Sequence, residues 1–433
     1  MRFFHAVFAP IRRLFSRLWR RIRENRVISY AVEHRFRRAD LRFFDWPLLI
    51  TVIGITLFGI VCIFSATSSQ VTEKPDTILE MLETQSIYYP RQQLILLLGS
   101  LAALIIVQLI PYKLAQRYHV FLYLANVGFL MITLLLAKVG RGAMKAFVTV
   151  GSGSFQPSEL CKDLMILWVA AIFARRKQPI SGWKDLFQMT AYVFIPIILV
   201  VLQPDVGTAL VYVAVYAVLV FVSGTDIKLI GKILLIAAVV ATPVLWYALN
   251  NTSASESFRL TRFLIWLHPE DYPDEARQVI NGQIALGSGG LFGKGIVSPG
   301  SYASLGYISD DHTDFIFAIV CESFGLVGGG LLVAAYIFLL ARLIRLASSI
   351  RDPYGAYIVM GVAGMFIFHV VENIGMVIGL LPVTGIPLPF VSYGGSNLLT
   401  NMIAIGLVEN VVIEDRRSSK PRSFSIHRPH IDL

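Results

Sequence analysis

Residues 306–330 read GYISDDHTDFIFAIVCESFGLVGGG. Asp310, Asp311, His312 and Asp314 stand directly against an apolar run that continues to Leu340. A helix rises 1.5 Å per residue, and about 20 apolar residues cross a bilayer core. The stretch therefore reads as a membrane span with an acidic mouth.

The rest of the chain repeats that pattern. Hydrophobic residues make up 55% of its 433 positions and charged residues only 15%, with a mean hydropathy of +0.66. Soluble domains carry about a quarter charged residues, so the composition excludes an ordinary soluble domain. About ten spans follow from the apolar runs: Trp46–Ala66, Leu94–Ile110, Val120–Ala137, Leu160–Ala174, Phe187–Leu202, Val206–Val222, Leu229–Leu249, Phe315–Leu340, Tyr354–Leu380 and Tyr393–Val412. The fold class is an all-α polytopic membrane protein.

The net charge of +10 does not indicate a nucleic-acid partner, because the excess lies in the first 45 residues and in short loops. With the N-terminus inside, 28 Lys and Arg fall on the inner side and 9 on the outer, with Lys162 left within a span. That asymmetry follows the positive-inside rule and puts both termini in the cytoplasm. It makes 250–314 a large outer loop and places the acidic cluster outside.

The chain divides into a basic arm (1–45), a membrane domain (46–412) and a basic, Ser/Pro-rich tail (413–433) that reads as disordered. The arm spaces Ile11, Leu14, Phe15, Leu18, Trp19 and Ile22 helically, with arginines opposite. It reads as an interfacial helix on anionic lipid, with an Arg-rich transit peptide as the alternative. Cys62, Cys161 and Cys321 lack metal-ligand spacing and read as small apolar fillers.

Ionisable groups inside apolar helices are costly, which makes each a functional candidate. Glu159 and Lys162, three residues apart, share a helical face. They read equally as a packing ion pair or as the charged floor of a cavity. Asp205 follows the helix-breaking Pro204 and suits a cap on the next helix. Glu322 and Glu372 lie deeper and are consistent with neutral core positions or with a site. Glycines 287, 289, 290, 293 and 295 surround Lys294, which could meet a phosphate; plain flexibility explains the glycines as well. The spacing is not that of a nucleotide-binding loop. The Pro/Gly segment 381–396, which contains Ser392, needs a cavity or protein around it at membrane depth. These groups converge on one face of the membrane.

In that order, FQPSEL (155–160), LQPDVGTAL (202–210), IALGSGGLFGKG (284–295), HTDFIFAIV (312–320) and NIGMVIGLLPVTGIPLPFVSYGGS (373–396) resemble the motifs of the SEDS proteins RodA, FtsW and SpoVE, from about Trp46 to Val412. LPVTGIPLPF is most similar to the RodA branch. The resemblance implies a ten-helix inner-membrane enzyme that polymerises lipid II into glycan strands. It implies a class B penicillin-binding protein and elongation-complex membrane proteins as partners. It carries the family's essential aspartate onto Asp314, its Glu–Lys pair onto Glu159 and Lys162, and its QPD aspartate onto Asp205. Met144, Ala146, Asn281, Gly282, Ser323 and Asn397 depart from the usual motifs.

In such a reaction Asp314 would be the base, with His312 a hydrogen-bonding neighbour or a cap. Asp314 is expected in the first turn of a helix, where the dipole favours its ionised form and the acidic neighbours Asp310 and Asp311 disfavour it. Lys145, Lys162, Lys294 or a divalent cation (Mg2+ or Mn2+) would compensate the leaving pyrophosphate. A lipid II flippase and a non-catalytic scaffold for a transpeptidase are the competing readings.

Overall fold

The computed structural model describes residues 40–67, 85–136, 148–150, 153–176, 178, 180, 182–232, 235, 258–298, 300–308 and 311–419. The basic arm up to Ala39, most of the seventh expected span, Lys145, Asp310 and the tail beyond Ser419 lie outside them.

The described chain is a helical bundle. Its elements are α1 (Trp46–Thr67), α2 (Gln85–Leu109), the short α3 (Tyr112–Arg117), α4 (His119–Leu136), a hairpin of β1 (Val148–Val150) and β2 (Gly153–Phe155), α5 (Pro157–Arg175), α6 (Trp183–Leu202) and α7 (Val206–Val222). There follow α8 (Phe258–Leu267), α9 (Pro273–Ser288), α10 (Ile316–Ser349), α11 (Pro353–Val377) and α12 (Gly395–Ser418). The two strands pair antiparallel, Val148 opposite Phe155.

Six of these helices are long and apolar enough to cross a membrane: α1, α2 from Ile87, α6, α10, α11 and α12. Helices α4 and α7 are shorter and apolar. Helix α5 carries Glu159, Lys162 and Asp163 yet is buried along most of its length. Its charges are shielded by protein rather than by water, the arrangement such residues require at membrane depth.

Packing sets the bundle's order. Helix α12 lies along α2, α10 lies between α1 and α11, α4 lies along α5, and α11 also touches α5 and α7. All three cysteines are free and buried, as filler positions require.

Two differences from the sequence reading have clear causes. Residues 250–314 are not simply a loop: they hold α8 and α9, and α9 packs on α10. Helix α10 runs past Leu340 to Ser349, because Arg342 there belongs to an ion-pair group rather than to a connector.

The glycine-rich segment is a plug. Helix α10 breaks at Gly325, whose φ of 67° is left-handed. The broken backbone is satisfied by the segment beside it. Lys294 N and Gly295 N donate to the carbonyls of Glu322 and Ser323, while Leu326 N and Val327 N donate to those of Gly290 and Leu291. The approach demands glycine: a Cβ on Gly289 would stand 1.9 Å from the Cys321 carbonyl oxygen.

At the bundle's other end Asp45, just ahead of α1, accepts from Arg342 Nε at 2.8 Å and from Arg416 Nη2 at 2.6 Å. Arg416 also holds the Phe43 and Phe44 carbonyls, and Asp45 N donates to Glu409. Burial alone would raise the Asp45 carboxyl, but the two guanidiniums outweigh it and hold the pKa below its ordinary value.

A carboxylate whose folded pKa is lowered contributes stability above its unfolded pKa and loses it as pH falls through the folded value. Asp45→Asn should therefore cost about 3 kcal/mol at neutral pH, as broken buried pairs do. Thermal unfolding in detergent from pH 7 to pH 3 should show the wild type losing that advantage below about pH 4. Gly289→Ala should lower the same unfolding midpoint by overpacking, at a cost of about 2 kcal/mol or more.

Candidate active site

Asp314 lies in a turn two residues ahead of α10, not in its first turn as the sequence suggested. The helix dipole is therefore not what holds it. Three bonds from the Pro/Gly segment and α11 fix the turn's backbone. Asn373 Nδ2 donates to the carbonyls of both Asp314 and Ile386, each at 2.8 Å. Ser392 Oγ donates to the Thr313 carbonyl at 2.6 Å and accepts from Leu388 N. Tyr393 N donates to the His312 carbonyl. Ser392 and Asn373 thus act through backbone.

His312 packs against the rings of Tyr89 and Tyr393, at 4.6 and 5.6 Å, and contacts Asp311 Oδ1 at 3.0 Å. Glu372 accepts from Thr384 Oγ1 at 2.7 Å.

Arg262 on α8 is the group the sequence reading passed over. Its Nη1 reaches the Val383 carbonyl at 3.5 Å, and its charge interacts with Asp314. Burial draws its pKa below the usual arginine value, and Asp314 pulls it back up. No motif announces it; only the fold brings α8 over the Pro/Gly segment.

Glu159 and Lys162 pair deeper in the bundle. Lys162 Nζ donates to both carboxylate oxygens at 2.8 and 2.9 Å and meets His369 Nε2 at 3.0 Å. His369 Nδ1 faces the Met365 carbonyl at 2.7 Å, where it must donate. Nε2 is then left to accept from Lys162. The three side-chain residues are 4%, 1% and 0% exposed. The pair is thus held by α11 as well as by its own helix.

Asp205 caps α7 by accepting from Thr208 N at 3.0 Å. Its other oxygen accepts from Gln156 Nε2 at 2.8 Å and lies 3.3 Å from Ser158 Oγ. The cap expected from sequence is present, and it ties the start of α7 to the start of α5. The Pro/Gly segment lies over that junction: a Cβ on Gly207 would be 3.1 Å from the Thr384 carbonyl oxygen. The same segment thereby touches the Asp205 group and the Asp314 turn.

Lys294 and Glu322 form a separate group. Glu322 Oε1 accepts from Lys294 Nζ at 2.8 Å and from Tyr302 N at 2.7 Å, and Oε2 accepts from Ala303 N. Lys294 is engaged in fastening the plug to α10. Among the described residues no three His, Cys, Asp or Glu side chains converge as a metal cage.

The site thus belongs to a multi-pass helical membrane protein, and comparison gives its family. A family model described as cell cycle protein, FtsW/RodA/SpoVE, matches residues 46–417. The peptidoglycan glycosyltransferase MrdB of Escherichia coli (strain K12) is 34% identical over 323 residues, covering 74% of this chain and 85% of its own length. Stage V sporulation protein E of Bacillus subtilis (strain 168) is 32% identical over 377 residues, covering 85% and 96%. A solved chain from a peptidoglycan synthase complex that coordinates polymerization and crosslinking superposes with a TM-score of 0.68 at 28% identity, covering 86% of this chain and 98% of that one. The chain belongs to the FtsW/RodA/SpoVE family, the SEDS proteins, and is a peptidoglycan glycosyltransferase.

Removing one partner of the buried pair should be far worse than removing both. Lys162→Ala is expected to cost about 3–5 kcal/mol, because Glu159 is left charged in the interior. The double variant Glu159→Gln, Lys162→Met should recover more than half of that loss in detergent unfolding measurements.

Proposed function

We propose that the chain polymerises lipid II, with Asp314 as the general base. The observation that carries this reading is the fixed Asp314 turn, bonded to α11 and to the Pro/Gly segment by Asn373, Ser392 and Tyr393. Holding a base in place is what converts proximity into rate.

The 4-hydroxyl of one lipid-linked disaccharide attacks the anomeric carbon of another. The new C–O bond forms as the bond to phosphate breaks, and undecaprenyl pyrophosphate leaves with the electron pair. The hydroxyl proton passes to Asp314. Apolar helices beside the site suit the isoprenoid chains.

The 28-to-9 division of basic residues supports the Asp314 end facing outward from a bacterial inner membrane, with both termini cytoplasmic. The sequence LPVTGIPLPF at 381–390 supports a role in elongation. The likeness to a chain of a synthase complex supports a class B penicillin-binding protein as partner.

The flippase reading draws on the buried Glu159, Lys162 and His369, since ionisable groups at membrane depth also serve transport. Purified protein with its transpeptidase partner and labelled lipid II separates the two. Glycan ladders are expected; redistribution of lipid II without ladders would make it a flippase, and the absence of both would make it a scaffold. Asp314→Ala should insert and purify like the wild type yet make no ladders, and wild-type polymerisation by it would refute Asp314 as the base.

A further inference from the structure

Ser392 and Tyr393 hold the turn that carries Asp314, but both belong to an irregular segment and can hold only as well as they are held. Their anchor is α2. Gln93, on that helix and 0% exposed, donates from Nε2 to the Ser392 carbonyl at 3.2 Å and accepts at Oε1 from Gly394 N at 3.4 Å. The two backbone groups fix which way the amide faces, since a carbonyl only accepts and an N–H only donates. Ser392 N donates to the Leu388 carbonyl, and its Oγ joins Leu388 N to the Thr313 carbonyl. With Gln93 on its carbonyl, every polar atom of Ser392 is engaged.

The clasp brackets Tyr393, whose N–H holds the His312 carbonyl at 2.9 Å. One helical turn before Gln93, Tyr89 lies on the same face of α2. Its ring stands 4.6 Å from that of His312 and 5.0 Å from that of Tyr393. One face of a membrane-length helix therefore meets both the Asp314 turn and the segment that holds it.

We propose that Gln93 is a positioning residue for the polymerisation, and that its clasp on Ser392 and Gly394 sets where the Asp314 turn stands. This rests on the reading of Asp314 as base. Gln93 acts through Ser392 and Tyr393 rather than on the reacting atoms. Without it a buried carbonyl and a partly buried N–H lose their partner where protein excludes water, so the segment must shift to satisfy them. A shift of the segment moves the two carbonyls it holds, those of His312 and Thr313, and the base moves with them.

The test uses full-length protein with its transpeptidase partner, with ladder synthesis measured across a range of labelled lipid II concentrations. Gln93→Leu removes both bonds. It should lower kcat on the order of 100-fold, as a small misplacement of a catalytic group does, and leave KM within about twofold. Ser392→Ala breaks the same path one step nearer the base. The double variant should therefore be no slower than the slower single variant, rather than slower by the product of the two losses. Ile95→Ala, at an exposed position two residues further along α2, should match the wild type.

Gln93→Glu is the conservative comparison. Protonated, the acid can donate to the Ser392 carbonyl and accept from Gly394 N; ionised, it can only accept. Its rate relative to the wild type at the same pH should rise as pH falls from about 8 to about 5. Taking the ratio removes the titrations the two proteins share, those of Asp311, His312 and Asp314 included. Where Gln93→Leu fails to insert, this ratio decides the matter.

Wild-type kcat in Gln93→Leu, a change in KM alone, multiplying losses in the double variant or a flat pH ratio in Gln93→Glu would each overturn the proposal. Synthesis by Asp314→Asn would instead remove the base reading itself. An inactive Asp314→Asn beside a fully active Gln93→Leu would sink the clasp alone.

Discussion

Lipid offers a polypeptide no hydrogen bonds, so every backbone N–H and C=O within the hydrocarbon must be satisfied by protein. This chain contains two irregular segments that meet that requirement in different ways, and the candidate site depends on both. The 289–296 segment fills the break in α10, matching donor to carbonyl in both directions. The Pro/Gly segment at 381–394 closes on the turn ahead of α10 through Asn373, Ser392 and Tyr393. One fastens the inner part of α10 and the other fastens its mouth. Asp314 is held between two seals rather than by its own helix.

The same constraint governs charge. Glu159 and Lys162 would be prohibitive singly, but together with His369 they are neutralised and hydrogen-bonded, which is the condition for buried ions to persist. Asp205 is stabilised by a helix N-terminus and by Gln156. Asp45 draws on two arginines from different helices. Each acid has a distinct means of compensation, and each joins elements far apart in sequence. The polar groups are therefore what specify how apolar helices, which lipid would accept in many arrangements, pack in one.

Much of this architecture is legible in sequence, and the limits follow from physics. Helix α7 matches its expected bounds because Asp205 caps it and Ser223–Gly224 stops it. The Glu159–Lys162 pair is visible because helical spacing is local. His369, its third member, is not, since a lone histidine in an apolar run carries no pairing signal. The glycine-rich segment reads as flexible because composition cannot distinguish a hinge from a close approach; only the Cys321 and Ser323 carbonyls reveal which it is. Helix α8 is too short for periodicity to stand out in a long loop. Arg262 is hidden with it, because its significance lies in a neighbour supplied by tertiary folding.

Asn373, Ser392 and Tyr393 are what keep Asp314 in a turn. A base in the first helical turn would lie among backbone N–H groups, which favour its charged form and compete for its lone pairs. Two residues earlier, its carbonyl is taken by Asn373 while its carboxylate faces Gly385 and Arg262. The backbone bond fixes the position of the turn. Off the helix, the acid is held through its backbone carbonyl rather than by a helix N-terminus.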